Sequence, residues 1–381
     1  MLLFFAGIAL ALAGFFLCGW TRTWAWFRVV ALNPPFADLR TVQGALISLA
    51  QGFDPRVLNP GDPWGRAMNY PMVWVKLARV FHLANENNYL WFVSCYAVAY
   101  LVCVCDLLRK TASFWVLAAF FSSASLLALE RGNNDLVVFA LLYVAAMCPV
   151  LWFAGIAILA GTALKIYPLF ASISLLKNRL VFGVLVFASI ILLALNFRDV
   201  LGVKSVTPVG AAGFYGTPSI AIAIQTITRI SVSPLMIGAL LLILAGTLSA
   251  SKALKRYCEM ENPEEWEVRL FLTGAGVYAG TFLFSSNYDY RLIFVILCIP
   301  YMAHLSDKWV RRFVLSQVIV SSNLDICMKL LGRPIGLLLT MASKIILFVF
   351  VSAFLMRELS RLFPEFSTCE RTRHEAQGVQ A

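Results

Sequence analysis

Four short polar stretches interrupt an otherwise greasy chain, and each carries residue types that can do chemistry: "ERGNND" at 130–135, "LKIYP" at 164–168, "SSNYDYR" at 285–291 and an early acid, Asp38, in "NPPFADLR". Asp38 is a candidate proton acceptor. Asp54 and Asp62 are alternatives, although "FDP" and "GDP" read as turns. Asn133, Asn134 and Asp135 offer two amides and a carboxylate to a polyhydroxylated ligand. One of them also suffices to cap the helix beginning near Leu136, and a cap needs one such residue where this turn has three. Lys165 follows about fifteen apolar residues and precedes Pro168, which cannot continue helical hydrogen bonding. An ammonium beside a broken helix suits a phosphate; the plainer reading is a snorkelling side chain. Tyr70, Tyr288, Asp289 and Arg291 complete the candidate set. Trp24, Trp26, Trp64 and Tyr215 read as interface aromatics, His82 as a loop residue, and Asn323, Asp325 and Lys329 as a structural group with an i,i+4 pair.

The solvent of the positioning elements follows from composition. The chain has 381 residues, 60% hydrophobic and 13% charged, with a mean hydropathy of +0.80. Soluble domains carry roughly a quarter charged residues, so lipid is the expected surrounding. The net charge of +11 sits in short basic clusters between apolar runs, which fits membrane topology and not nucleic acid. The cysteines are scattered, without CxxC; Cys103 and Cys105 read as packing residues.

About twelve apolar segments are expected, near 1–20, 89–108, 112–129, 136–148, 150–164, 167–176, 180–196, 234–251, 268–285, 291–305, 313–331 and 335–356. The first reads as a retained span, since no basic n-region precedes it. Arg109-Lys110, Lys177 with Arg179, "KALKR" at 252–256, "KWVRR" at 308–312 and Arg357 with Arg361 fall on one side, the cytoplasmic one by the positive-inside rule. A long first loop, about 21–88, then faces outward with the four polar stretches and the loop at about 197–233. The segments between 136 and 176 are too short to cross a roughly 30 Å core, which implies a cavity. Residues 1–363 read as one polytopic all-α domain and 364–381 as a polar cytoplasmic tail.

The order of "PPFADLRTVQGAL", "NYP", "GNND", "LKIYP" and "NYDYR" resembles the GT-C membrane glycosyltransferases, most closely glycosyltransferase family 87. The usual family turn has Gln where Asn133 stands. The resemblance implies a large first outer loop, several short broken helices and an outward-facing site in the cytoplasmic membrane. It implies a polyprenyl-phosphate sugar donor, a mannose-like hexose, and a glycan or glycolipid acceptor, with Asp38 as base and no cofactor. No DxD motif calls for a metal. A lipid-linked sugar flippase or transporter also places ionisable groups in a cavity, but matched halves are not visible. A structural membrane subunit explains neither the long first loop nor Lys165.

Overall fold

The computed structural model describes residues 1–257 and 261–362; the tail expected at 364–381 lies outside the described residues. The chain is all-α, with one two-residue strand pair as its β-structure among the described residues. The apolar segments do become helices, but most are not long enough to span alone. Glu86–Thr111 and Arg333–Leu362 are long and apolar enough to cross a membrane. The count rises to four if each of two bent pairs is one span: Arg179–Leu195 with Phe197–Val206, bent by 74°, and Lys308–Ser321 with Leu324–Leu331, bent by 92°. Against the expectation of about twelve apolar segments, two to four are clear candidates to cross by length and composition. Leu2–Cys18, Asp135–Met147, Leu151–Leu164 and Pro234–Ala250 are apolar but shorter, and the expected segment at 112–129 is two helices, Phe114–Phe120 and Ser123–Glu130.

At the centre stands helix Glu265–Phe284, most of whose residues are buried. Two 3-10 stretches, Tyr167–Leu175 and Asp289–Cys298, lean on it. Runs of 3-10 helix beyond three or four residues are uncommon, and the reason they fit here lies partly in the helix they face. A Cβ at Gly274 would stand 2.7 Å from the Phe294 carbonyl oxygen, and one at Gly276 would collide with that of Phe170. Missing side chains let both backbones approach closely.

In the first loop, the helices Ala37–Ala50 and Val73–Val80 pack on each other. This loop is tied to the later one by Asp199, whose carboxylate pairs with Arg56 and accepts from the Met72 N–H at 2.9 Å. The strand pair joins Phe214–Tyr215 to Asn287–Tyr288, with Phe214 opposite Tyr288. Loops far apart in sequence are thus fastened together at one end of the bundle.

Candidate functional site

The turn in "ERGNND" brings the site together. Helix Ser123–Glu130 ends, and Gly132 takes φ +54°. A Cβ there would stand 2.6 Å from Val93 Cγ2 and 2.9 Å from Phe36 Cβ, so the turn lies directly against the start of helix Ala37–Ala50. The Asp38 N–H donates to the Arg131 carbonyl at 2.9 Å. The break also rules out the i,i+4 pairs that a continuous helix would make: Arg131 pairs with neighbouring Glu130, whose other oxygen accepts the Leu32 N–H at 2.8 Å.

Asn133 works in two directions. Its Oδ1 accepts the Asp135 N–H at 2.8 Å and so covers an otherwise orphaned donor at the start of helix Asp135–Met147. Its Nδ2 donates to Asp38 Oδ2. Asn134 is fully buried, and neither of its side-chain polar atoms has a hydrogen-bond partner among the described residues.

Asp38 is therefore not the cap of its helix. It sits in the first turn, where the helix end favours an anion, and its carboxylate meets Asn133 and, at 3.7 Å, Arg66. About 15% of its side chain is exposed. Burial pushes the Asp38 carboxyl above its ordinary range, against the Asn133 hydrogen bond and the charges of Arg131, Arg66 and Lys165, which pull it down.

Behind Asp38 lies a fully buried carboxylate, Asp135. It pairs with Lys165, accepts the Tyr167 hydroxyl at 2.8 Å and faces Arg291 Nε at 3.3 Å. Lys165 also donates to Asn133 Oδ1 at 3.3 Å and stands 5.0 Å from the centre of the Tyr70 ring. Arg291 bonds Asn287 and lies 4.4 Å from the Tyr167 ring centre. The lysine occupies extended backbone at the end of helix Leu151–Leu164, just before the 3-10 turn containing Pro168. A side chain only about 7% exposed and bonded to a buried carboxylate does not snorkel.

Asp38, Asn133, Asp135, Lys165, Tyr70 and Arg291 thus join one network. Tyr288 stands apart from it in hydrogen bonding: its ring packs on Phe214 at 4.3 Å and on Tyr290 at 5.2 Å. Asp289 points elsewhere. Its two oxygens accept from Lys344 Nζ at 2.7 and 2.8 Å, and the same ammonium reaches the Phe214 carbonyl at 3.2 Å. The structure gives Asp289 to a buried tether of the long helix Arg333–Leu362. Asp54 and Asp62 are indeed turn residues. Asp54 Oδ1 accepts the Arg56 N–H, and Asp62 holds Arg66 through both carboxylate oxygens. Asn323 accepts the Ser123 N–H at 3.0 Å, a structural bond.

Arg66, Tyr167 and Asn287 were not singled out by the sequence. Tyr167 and Asn287 lie inside motifs already notable, and their proximity to Lys165 and Arg291 was the available signal. Arg66 offered none: its neighbours in "WGRAMNYP" carry no spacing that places it beside Asp38.

Comparison with protein-family models, with curated proteins and with solved structures found no match to this chain.

Proposed function

We propose that this chain is an integral-membrane glycosyltransferase that moves a hexose, mannose-like in kind, from a polyprenyl-phosphate donor to a hydroxyl of a glycan or glycolipid. The observation that carries the reading is the partly exposed Asp38 carboxylate, fixed by Asn133 and Arg66 in front of the buried Asp135–Lys165–Arg291 network. The order of motifs that resembles family 87 supports it as well.

A sugar hydroxyl is a poor nucleophile, so a carboxylate must take its proton as the new bond forms. Asp38 accepts that proton. The acceptor oxygen bonds to the anomeric carbon, the bond from that carbon to the phosphate oxygen breaks, and polyprenyl phosphate leaves with the electron pair. Around this step stand four carboxylates (Asp38, Asp62, Glu130, Asp135) and four cations (Arg66, Arg131, Lys165, Arg291). Protonation of Asp38 leaves the group with one net positive charge at the moment the departing phosphate gains negative charge. Fixed charges that match developing charge lower the barrier without reorganisation.

In this scheme Lys165 is a positioning residue. Its ammonium orients Asn133, which orients Asp38. Arg66 lies closest to the exposed rim, with about 34% of its side chain accessible, and is the cation we assign to the donor phosphate. The topology follows the basic clusters: the site faces outward from the cytoplasmic membrane and "KALKR" and "KWVRR" lie inside. The test is reconstitution. Purified protein in lipid vesicles, given polyprenyl-phosphate mannose labelled in the sugar and an extract of envelope glycolipids, is expected to move the label into the glycolipid fraction. Label that stays on the polyprenol, or crosses the bilayer without transfer, would overturn the reading; crossing would favour a flippase.

A further inference from the structure

Three elements that run away from the candidate site, Leu151–Leu164, Tyr167–Leu175 and Glu265–Phe284, frame a pocket at their far ends. It is a small, partly open cleft of about 50 Å³, lined by Leu151, Leu175, Val268 and Leu272, with Ser174, Lys177, Glu265 and Arg269 as its polar groups. Lys165 follows the last residue of the fourteen-residue helix that begins at Leu151. At 1.5 Å per residue the pocket therefore lies about 20 Å from the site along that helix.

Arg269 is the unexplained group. Its Nη1 donates to the Cys148 carbonyl at 2.7 Å, but its Nε is buried and finds no hydrogen-bond partner among the described residues. A buried N–H without an acceptor is costly, and the cost is greater for a charged group. Lys177 is the second cation. It meets Glu265 at 3.9 Å with both side chains more than half exposed, a contact worth little. Apart from Ser174, the rest of the wall is aliphatic. Trp152, half exposed, and Trp266 flank this end, as tryptophans do at headgroup level.

We propose that this pocket binds the phosphate of an anionic phospholipid in the leaflet opposite the candidate site. The Arg269 guanidinium, whose Nε is buried and unpaired, turns toward the opening to take phosphate oxygens, Lys177 adds charge at the rim, and Leu151, Leu175, Val268 and Leu272 take the first methylenes of an acyl chain. A guanidinium matches phosphate geometry, and basic pockets between membrane helices select anionic headgroups. The aliphatic wall and the flanking tryptophans favour a lipid over a free phosphate ion. The inference does not depend on the sugar-transfer reading.

The test uses the full chain, purified in detergent and titrated with phosphatidylglycerol, phosphatidylcholine or inorganic phosphate. Native mass spectrometry counts retained lipid, and thermal unfolding reports stabilisation. Phosphatidylglycerol is expected to be retained and to raise the unfolding temperature, while phosphatidylcholine does neither. Lys177→Gln, at an exposed position that leaves the fold intact, is expected to bind phosphatidylglycerol about fivefold more weakly. Arg269→Gln should lose more, although it also breaks the Cys148 contact. Equal phosphatidylglycerol binding by wild type, Lys177→Gln and Lys177→Glu would overturn the proposal. So would stabilisation by inorganic phosphate alone, with nothing added by the lipid.

Discussion

At Asp135 one carboxylate answers an ammonium, a guanidinium and a phenol, all away from water. Removing one partner of such a group leaves the others as uncompensated charge, which costs about 3–5 kcal/mol. Asp135→Ala is therefore expected to lower thermal stability in detergent by that order, because both Lys165 and Arg291 lose their acid. Lys165→Met should be milder in stability, since Asp135 keeps Arg291 and Tyr167, but it releases Asn133 and should slow transfer. Normal turnover by the Met variant at wild-type levels would remove Lys165 from the site. Asp38 yields a prediction in pH. Its carboxyl is raised by burial, and it must be ionised to accept a proton. Transfer should fall as pH drops, along a limb lying above the ordinary carboxylate value of about 4. Stability runs the other way: a raised folded-state value favours the protonated form, so this group's contribution is present at low pH and is lost as pH rises through that value. An acid limb at about 4 in kcat/KM would contradict the placement. Residue types in these motifs were readable, but side-chain direction was not. Asp289 and Arg291 are two residues apart, yet one faces Lys344 and the other Asp135; the 3-10 turn between them sends them to different partners.

Among the elements, the break at 130–135 decides the site. Gly132 combines a positive φ with two close contacts, so alanine there must strain the backbone and push Phe36 or Val93 aside. Gly132→Ala is expected to cost about 2 kcal/mol or more and to slow transfer by parting Asp38 from Asn133. Unchanged thermal stability and unchanged turnover would show that the turn has room to spare. Element positions were legible where apolar runs are bounded by polar residues: Asp135–Met147, Leu151–Leu164 and Pro234–Ala250 fall within about a residue or two of the expected limits. Helix type was not legible. Tyr167–Leu175 and Asp289–Cys298 are buried on most sides, so no hydrophobic period distinguishes a 3-10 from an α geometry. The 92° bend before Leu324 was hidden as well, because the apolar run continues past Asn323, and the bond that fixes the corner comes from Ser123, two hundred residues earlier.

For the whole molecule, sidedness is what the basic clusters assert. Val57 is 82% exposed in the first loop, and Lys308 is exposed in the "KWVRR" cluster. In a background whose own cysteines do not label, Val57→Cys should react with an impermeant thiol reagent added outside intact cells, and Lys308→Cys only after lysis. The reverse pattern would turn the site inward. Fewer helices are long enough to cross alone than the apolar segments implied, because hydropathy sees apolar length but not bends and breaks. The convergence of loops at one end was legible only as a consequence of counting sides; the fastenings that secure it, Arg56 to Asp199 and Phe214 to Tyr288, join residues with no sequence relation. The most direct test of the account is the rate at which reconstituted wild type and Asp38→Asn move labelled sugar from polyprenyl phosphate to the acceptor glycolipid. With equal protein and equal thermal stability, wild type is predicted to transfer and the Asn variant to be slower by about 10²–10⁴-fold. Equal rates for the two proteins would contradict it.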